Sequence, residues 1–270
     1  MMMFIDISSY VGHWPYRNLT YNTLEGLDKL AQDNGITHMA VANLNGFFYK
    51  DANFANLELL DWLKAYKGKT VFLPMAIVNP LYPAWEKDAR AMIEAGFAGF
   101  ELAPLYHGYS LAPQYPHDSY YTAQYALPVL NLAEELDVPV RICASFENFR
   151  GRSHRDTFDN IPGEDYFSLL NANKNVHVFC TSFAPQAAGE HFAALLKTRK
   201  NTYFDATQFT VFTEAGGKPA MDVITDEQLC YGSLSPFSFM ETTLLRAAYC
   251  KEFDFEKIKT APARAFKALR

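Results

Sequence analysis

The sequence lacks the features that mark membrane proteins, nucleic-acid-binding proteins and exported proteins. It has no run of about 18 apolar residues, which a membrane-spanning helix would need. It has 24 basic residues against 30 acidic ones, and the net charge of -6 provides no basic surface for nucleic acid. The N-terminal Met1-Met2-Met3-Phe4 has no basic region and no cleavage site, so no export signal is expected.

Cysteine is also scarce. Cys143, Cys180, Cys230 and Cys250 stand alone, whereas disulfide frameworks and structural zinc sites normally show closely paired cysteines. We therefore expect reduced thiols in a cytoplasmic protein. Aromatic residues, in contrast, make up 15% of the chain, enough to form an aromatic wall around a binding site.

Short β-branched or aromatic runs alternate with helical patterns, which is typical of repeated βα units around a parallel sheet. Eight strands are predicted, near Met3–Ser8, Thr37–Asn43, Thr70–Val78, Ala98–Ala103, Val140–Phe146, Val176–Ser182, Tyr203–Phe209 and Leu229–Leu234. Nine helices are predicted, the seventh near Met221–Asp226 and the last near Phe255–Leu269.

Eight such repeats predict an α/β fold, a single (β/α)8 TIM barrel with an extra C-terminal helix, in one domain over residues 1–270. A doubly wound open sheet is the alternative. The first strand is not followed by the glycine-rich nucleotide turn that such a sheet commonly carries, so the barrel is favoured.

Two sequence strings resemble the amidohydrolase superfamily, specifically its amidohydrolase-2 branch. Ile5-Asp6-Ile7-Ser8-Ser9-Tyr10-Val11-Gly12 matches the apolar-Asp-x-His-x-His-x-Gly string of that branch's first strand. Leu229-Cys230-Tyr231-Gly232-Ser233-Leu234-Ser235-Pro236-Phe237 matches its eighth-strand string, apolar-Phe-Gly-Ser-Asp-x-Pro-Phe. The segment from Ile258 to Leu269 is similar to the closing helix of that branch. The resemblance implies a barrel that hydrolyses small molecules or removes a carboxylate.

The resemblance also implies five metal ligands, and none of the five positions carries the expected residue. These positions hold Ser8, Tyr10, Cys143, Thr181 and Leu234. A zinc site needs three or four nitrogen, sulfur or oxygen ligands, and only Cys143 qualifies. We therefore predict no metal at that place and no other cofactor.

Charged residues on predicted strands point to chemistry without a metal. Arg141 shares a strand face with Cys143, and a buried arginine needs an acid, for which Asp6, Glu101 and Asp205 are available. The catalytic hypothesis makes Glu101 or Asp205 the general base and Arg141 the anion stabiliser. The alternative is a structural network of arginine and carboxylates that fills the barrel.

Four histidines, His13, His107, His117 and His154, lie in predicted βα loops, where barrel enzymes place their active sites. His13 follows the first strand closely and is our candidate general acid, with a loop histidine bonded to backbone as the alternative. A replacement metal site built from these histidines is possible, but no spacing supports it.

Two long loops, Pro104 to Tyr120 and Glu147 to Pro162, are typical of binding loops. An aromatic wall opposite arginines suits a planar or cyclic carboxylate, because a guanidinium recognises a carboxylate through two parallel hydrogen bonds. Alternatively, Asp156 and Asp159 neutralise those arginines locally. The predicted substrate-binding residues are Trp14, Arg17, Asn43, Tyr106, His107, Arg150, Arg152 and His154.

The sequence thus predicts a small-molecule hydrolase or carboxylate lyase that acts on an acidic, cyclic substrate. The alternative is a non-catalytic barrel that binds a small molecule. Small-molecule carboxylates are the expected partners, with no nucleic acid and no membrane. Gly46-Phe47-Phe48-Tyr49 is more apolar than a solvent loop usually is, and it lines either the pocket or an interface in a homo-oligomer.

Overall fold

Eight parallel strands, each beside the next in the chain, form the centre of the molecule. The computed structural model describes residues 3–111, 125–147, 153–156, 161–183, 189–205, 207, 224–249 and 254–270. The strands are β1 (Ile5–Val11), β2 (His38–Asn43), β3 (Val71–Val78), β4 (Gly99–Leu102), β5 (Val140–Cys143), β6 (Val178–Thr181), β7 (Thr202–Asp205) and β8 (Leu229–Cys230).

The sheet nearly closes on itself because the chain after β8 runs beside β1. The backbone N–H of Ile7 donates to the carbonyl of Tyr231 (3.0 Å), and that of Tyr10 donates to the carbonyl of Ser235 (2.8 Å). Regular pairing stops after Cys230, and Leu234 adopts a positive φ of 53°. The eighth strand is therefore shorter than predicted, although its sequence string occupies the expected place in the barrel.

Among the residues that the structure describes, a helix follows every strand except β7, and one more helix follows the last barrel unit, so the predicted (β/α)8 barrel with an extra C-terminal helix is confirmed. Within the described residues the helices are α1 (Leu24–Asp33), α2 (Asn53–Ala65), α3 (Trp85–Glu94), α4 (Pro104–His107), α5 (Ala126–Leu136), α6 (Gly163–Ala172), α7 (Gly189–Thr198), α8 (Met240–Tyr249) and α9 (Phe255–Thr260). Residues 221–223 of the predicted seventh helix lie outside the described residues, and 224–226 are not helical. No helix in the described part of the chain is long and apolar enough to cross a membrane.

Helix α1 shows how local sequence sets the repeat. The hydroxyl of Thr23 accepts a hydrogen bond from the N–H of Gly26 (3.1 Å) and so caps the first turn. Leu24, Leu27 and Ala31 recur at helical spacing and are buried against the sheet. Gly35 then takes a φ of 71°, a left-handed conformation that glycine adopts without steric cost, and the chain turns into β2.

The apolar residues divide between two cores. One lies between the strands and the surrounding helices, with members such as Val41 and Phe100. The other fills the barrel interior and its carboxyl end, with members such as Ile7, Tyr10 and Phe179. Because the loops that follow the strands surround this carboxyl end, it is where barrel enzymes assemble their active sites.

Candidate functional site

The five positions at which the resemblance implies metal ligands are all buried near the carboxyl end of the barrel. Ser8 and Tyr10 lie on β1, Cys143 ends β5, Thr181 ends β6, and Leu234 follows β8. Cys143 and Thr181 are register partners across β5 and β6. The negative charge of a Cys143 thiolate would raise the pKa of Tyr10, so these two side chains are also close. Tyr10, Cys143 and Thr181 therefore border one region inside the barrel.

The side chains in this region do not suit a divalent metal ion. Burial raises the pKa of the Cys143 thiol to about 12, and burial raises the pKa of the Tyr10 phenol well above its usual value. Ser8, Tyr10, Thr181 and Leu234 offer no imidazole, carboxylate or thiol, so Cys143 is the only one of the five positions with a side chain that commonly binds a transition metal. The guanidinium carbon of Arg141 lies 4.6 Å from the Tyr10 ring centre and adds a fixed positive charge. Within the described residues, no three His, Cys, Asp or Glu side chains form a metal-binding group.

Arg141 is completely buried and its guanidinium bonds to three other strands. Its Nε forms an ion pair with Glu101 on β4. Its Nη1 donates to the carbonyls of Ile7 on β1 and Ala40 on β2, each at 2.8 Å. Glu101 also accepts a hydrogen bond from the Tyr10 hydroxyl (3.3 Å). Of the three carboxylates that the sequence offered, the structure pairs Glu101 with the arginine, and most guanidinium donors are already used within the barrel.

Asp205, at the end of β7, is a buried carboxyl group with one free oxygen. Its Oδ1 accepts hydrogen bonds from the backbone N–H of Ser182 (3.0 Å) and of Thr207 (3.4 Å). Its Oδ2 has no hydrogen-bond partner among the described residues. Burial raises the pKa of Asp205 from 3.8 to about 7, and the charge of Asp6 adds to the rise. Asp205 therefore titrates in the range where a general acid or base works at neutral pH.

Asp6, on β1, is equally buried, but both of its oxygens have partners. Oδ1 accepts from the N–H groups of Ser8 and Ser233, each at 2.9 Å, and Oδ2 accepts from the Ser233 hydroxyl at 2.6 Å. Burial raises the pKa of Asp6 to about 6, and the hydrogen bonds from Ser233 and Ser8 oppose the rise. These bonds tie β1 to the chain after β8, so Asp6 joins the two ends of the barrel sheet.

An aromatic cluster covers the carboxyl end of the barrel. This mouth cluster consists of Tyr10, Trp14, Phe47, Tyr106, Phe146 and Phe237. Ring centres lie 4.8 Å apart between Trp14 and Phe237, and 4.9 Å apart between Phe47 and Phe146. Trp14 is only 1% exposed, and its indole Nε1 has no hydrogen-bond partner within the described ranges. The cluster is tightly packed and includes Tyr106 from the loop on which the aromatic wall was predicted. Residues 112–120 of that loop lie outside the described residues, so the predicted wall stays a prediction.

One ion pair lies at the rim of the mouth cluster. Arg17, in the loop after β1, bonds through Nε to Glu147, which follows β5. The same guanidinium donates to the carbonyl of Phe237 (3.2 Å) and lies 5.9 Å from the centre of its ring. The Glu147 side chain is buried, yet its Oε2 has no partner among the described residues. Sequence reasoning did not identify Glu147, because no motif or spacing marks it.

His13, the predicted general acid, faces a different part of the surface. It is exposed, and its backbone N–H donates to Asn45 Oδ1 (3.0 Å). It lines a pocket of about 430 Å³ beside α1 and α2, together with Leu24 and Trp62. Among the described residues, no contact joins His13 to Asp205.

The other predicted binding residues are dispersed. Asn43 is buried, and its amide donates to the Ala55 carbonyl (2.9 Å) and to Glu58 (3.0 Å). The Nε2 of His107 lies 3.0 Å from the Gly46 carbonyl, and burial lowers the pKa of this imidazole. His154 is exposed. Arg150 and Arg152 lie outside the described residues, as does His117, so the predicted arginine cluster stays a prediction.

The aromatic segment after β2 divides between interior and surface. Phe47 joins the mouth cluster and is 2% exposed, whereas Phe48 and Tyr49 are 39% and 38% exposed. Phe54, at the start of α2, is 63% exposed. One part of the segment therefore lines the barrel mouth, and its use in an oligomer interface stays a prediction.

Comparison with known proteins gives structural relatives only. No protein-family model matches the chain, and no curated protein matches it. A dihydroxybenzoic acid decarboxylase from Polaromonas sp. JS666, with bound manganese and the inhibitor 2-nitroresorcinol, is 15% identical with a TM-score of 0.69, covering 100% of this chain and 98% of its own. A protein described as a probable 2-pyrone-4,6-dicarboxylic acid hydrolase from Acinetobacter baumannii is 15% identical with a TM-score of 0.58, covering 99% and 97%.

A third structure, amidohydrolase 2 from Bifidobacterium longum subsp. infantis, is 14% identical with a TM-score of 0.57, covering 97% of this chain and 98% of its own. The chain therefore has the fold of amidohydrolase-2 structures over almost its whole length. The resemblance that the first-strand and eighth-strand strings indicated is confirmed at the level of the fold. At these identities the comparison does not extend to substrate or chemistry.

Proposed function

We propose that this chain is a divergent amidohydrolase-2 protein that hydrolyses or decarboxylates a small, acidic, cyclic compound without the metal of that branch. The fold supports the reaction class, because structures with this fold include a hydroxybenzoate decarboxylase and a pyrone hydrolase. The lack of histidine and carboxylate at the five implied metal-ligand positions, and the Arg141 guanidinium beside the Tyr10 ring, support catalysis by side chains.

The observation that carries the proposal is the Asp205 carboxyl group. Its Oδ1 is fixed by two backbone N–H groups, and its Oδ2 is free at the carboxyl end of β7. A buried carboxyl group with an unused oxygen is uncommon unless it meets water or a ligand. A group with a pKa of about 7 has both protonation states populated at neutral pH. Asp205 can therefore donate or accept a proton in the reaction.

The mouth cluster and its rim supply recognition for an acidic ring. Aromatic side chains stack on a planar ligand, and the exposed guanidinium of Arg17 can exchange Glu147 for a ligand carboxylate. The free N–H of Trp14 offers a donor, and the free Oε2 of Glu147 offers an acceptor. A ring with one carboxylate and one hydroxyl or ring oxygen satisfies these groups together.

We assign a catalytic role to fewer of the other candidate residues than the sequence suggested. Arg141 and Glu101 are bonded to each other and to the barrel backbone, so we assign them the positioning of Tyr10 and the strands around it. His13 stays a candidate acid, because it is an exposed histidine in the loop that follows β1. The variant His13→Gln separates its role from that of Asp205.

The proposal is tested with metal-depleted wild-type protein and a panel of hydroxybenzoates and of pyrone carboxylates. We expect turnover of at least one compound in the presence of a chelator. Asp205→Asn should lower kcat at least about 100-fold, since positioned acid–base groups contribute on the order of 10²–10⁴. His191→Gln, on α7, serves as the control with an exposed histidine. Turnover only after metal addition, or turnover unchanged in Asp205→Asn, contradicts the proposal.

A non-catalytic ligand-binding barrel is the second candidate, because none of the five implied metal-ligand positions carries the expected residue. Trp14 is 1% exposed and Phe146 is 5% exposed, so a ligand enters the mouth in either case only when these side chains move. A binder saturates at one equivalent of ligand and leaves an excess unconsumed. An enzyme consumes the excess, so progress curves with a tenfold excess of each panel compound distinguish the two functions.

A further inference from the structure

Two polar atoms at neighbouring strand ends are buried without a hydrogen-bond partner in the part of the chain that the structure describes. They are Oδ2 of Asp205 on β7 and Oγ1 of Thr181 on β6, and both residues are 0% exposed. Buried polar groups are normally paired with protein or with ordered water. Two such atoms at the same end of adjacent strands therefore point to a shared occupant.

The backbone places these atoms side by side. Cys180 and Phe204 are register partners on β6 and β7, and Thr181 and Asp205 directly follow them. The N–H of Ser182 donates to Asp205 Oδ1 (3.0 Å), which holds the carboxyl group against the end of β6. The Asp205 side chain is thus fixed beside Thr181.

The surroundings give these two atoms no strong protein partner. The thiol of Cys143 lies beside the Thr181 hydroxyl, and a thiol is only a weak hydrogen-bonding group. The hydroxyl of Thr207 donates to the carbonyl of Gly232 (3.1 Å), and its interaction with the Asp205 carboxyl group only partly opposes the rise that burial causes in the pKa of Asp205. Asp205 Oδ2 and Thr181 Oγ1 therefore remain available to the same occupant.

Gly232 fixes the carboxyl group from the other side. A Cβ at this position would lie 2.7 Å from the Cβ of Asp205 and 2.8 Å from its Oδ2, closer than real contacts allow. Any larger residue at 232 would displace the carboxyl group. The eighth-strand sequence therefore leaves space for one particular orientation of Asp205.

We propose that Asp205 and Thr181 bind a water molecule that serves as the nucleophile, which makes the protein a hydrolase of a cyclic ester rather than a lyase. This inference rests on the proposed function and assigns its reaction. A water molecule accepts from the Thr181 hydroxyl and donates to Oδ2, so it satisfies both groups at once. A neutral water molecule suits this pair, because neither Asp205 nor Thr181 carries the positive charge that an anionic ligand would need.

The step balances without a further reactant. Asp205 Oδ2 takes a proton from the water, the water oxygen forms a bond to the ester carbonyl carbon, and the carbonyl π electrons move to its oxygen. When the tetrahedral intermediate collapses, the bond from that carbon to the ring oxygen breaks. The proton on Asp205 passes to the departing oxygen, which restores the carboxylate and leaves an acid and an enol or alcohol.

A crystal structure of the full chain at atomic resolution, without added ligand, tests the binding site. We expect a water within hydrogen-bond distance of Asp205 Oδ2 and Thr181 Oγ1 in the wild type and in Thr181→Ser. The water should be lost in Thr181→Val, which keeps the side-chain shape and removes the hydroxyl. A wild-type structure with a protein atom or no density at this place overturns the inference, whatever the protein catalyses.

Kinetics with 2-pyrone-4,6-dicarboxylate as the probe test the reaction. Thr181→Val should lower kcat about tenfold or more at unchanged KM, and Thr181→Ser should restore it. The wild-type rate should rise with pH through about 7, because Asp205 acts as a base. If the protein releases carbon dioxide instead, at a rate that falls as the pH rises through about 7, the water is not the nucleophile. The proposed function would still stand, because it includes decarboxylation. The absence of any turnover refutes the proposed function and the nucleophile, and the crystal structure then decides the water site alone.

Discussion

Replacement of Asp205 by asparagine should change how the stability of the protein depends on pH. The carboxyl group has a pKa of about 7 in the folded protein because it is buried, against an ordinary value of 3.8. A raised pKa means that the folded state holds the proton more tightly than the unfolded state does. Asp205 therefore does not oppose folding below pH 3.8, and it destabilises the fold increasingly as the pH rises toward 7.

The magnitude follows from the interval between the two pKa values. Each pH unit corresponds to about 1.4 kcal/mol, so ionised Asp205 lowers the free energy of unfolding by about 4 kcal/mol above pH 7. About 3 kcal/mol of this effect develops between pH 5 and pH 8. The asparagine amide changes the hydrogen bonds at this position, and the resulting change in stability, on the order of 1 kcal/mol, does not vary with pH.

Urea unfolding of wild type and Asp205→Asn at half-unit steps from pH 5 to pH 8 measures the effect. The stability of the variant relative to wild type should improve by about 3 kcal/mol over this range. Asp28→Asn is the control, because hydrogen bonds from Thr70 outweigh partial burial and lower the pKa of Asp28, which stays ionised throughout. A constant difference between Asp205→Asn and wild type at all pH values would refute the assignment of a neutral-range titration to Asp205.

Three further predictions concern the residues around this group. Glu101→Gln or Arg141→Met alone should destabilise the fold by about 3–5 kcal/mol in urea unfolding, and the double variant by less than the sum, because each single change leaves an unpaired buried partner. Gly232→Ala should lower kcat, measured in steady-state kinetics. Gly35→Ala, where alanine is strained by the φ of 71° but meets no side chain, should lower stability and leave kcat unchanged. Arg17→Met should raise KM for carboxylate ligands about tenfold and leave uncharged analogues unaffected in steady-state kinetics, which an unchanged carboxylate KM would contradict.

The fold could be predicted because its signals are local. Hydrophobic periodicity and turn residues mark each βα unit, and the order of eight such units leaves few topologies. Strand ends were less accurate, as β1 extends to Val11 and β8 stops at Cys230. The predicted eighth strand reached Leu234 because that residue is apolar. Its backbone has a positive φ, however, so it is not in the extended conformation of a strand.

The candidate site was only partly accessible from the sequence. Alternation along β5 correctly placed Arg141 inside the barrel, because side-chain direction follows strand parity. Glu101 is its partner because the two residues are register partners on β4 and β5. The register between two strands cannot be read from the alternation of side chains along one strand. The free oxygen of Asp205 depends on backbone donors from two other segments, and no single-strand pattern encodes that arrangement.

The mouth cluster shows a different limit. Trp14, Tyr106 and Phe237 occur in loops more than 90 residues apart in the chain, yet their rings meet over the barrel. Composition signalled an aromatic wall but not its packing density. Whether such a wall forms an open pocket or a filled mouth is set by tertiary packing alone.

Metal content of the active protein tests the central claim most directly. The full chain, purified without chelator, is measured by plasma mass spectrometry for zinc, manganese and iron, and its turnover is measured with and without chelator. The account predicts well under one metal ion per chain and turnover that chelator does not change. One metal ion per chain, lost together with activity in Cys143→Ser, would contradict it.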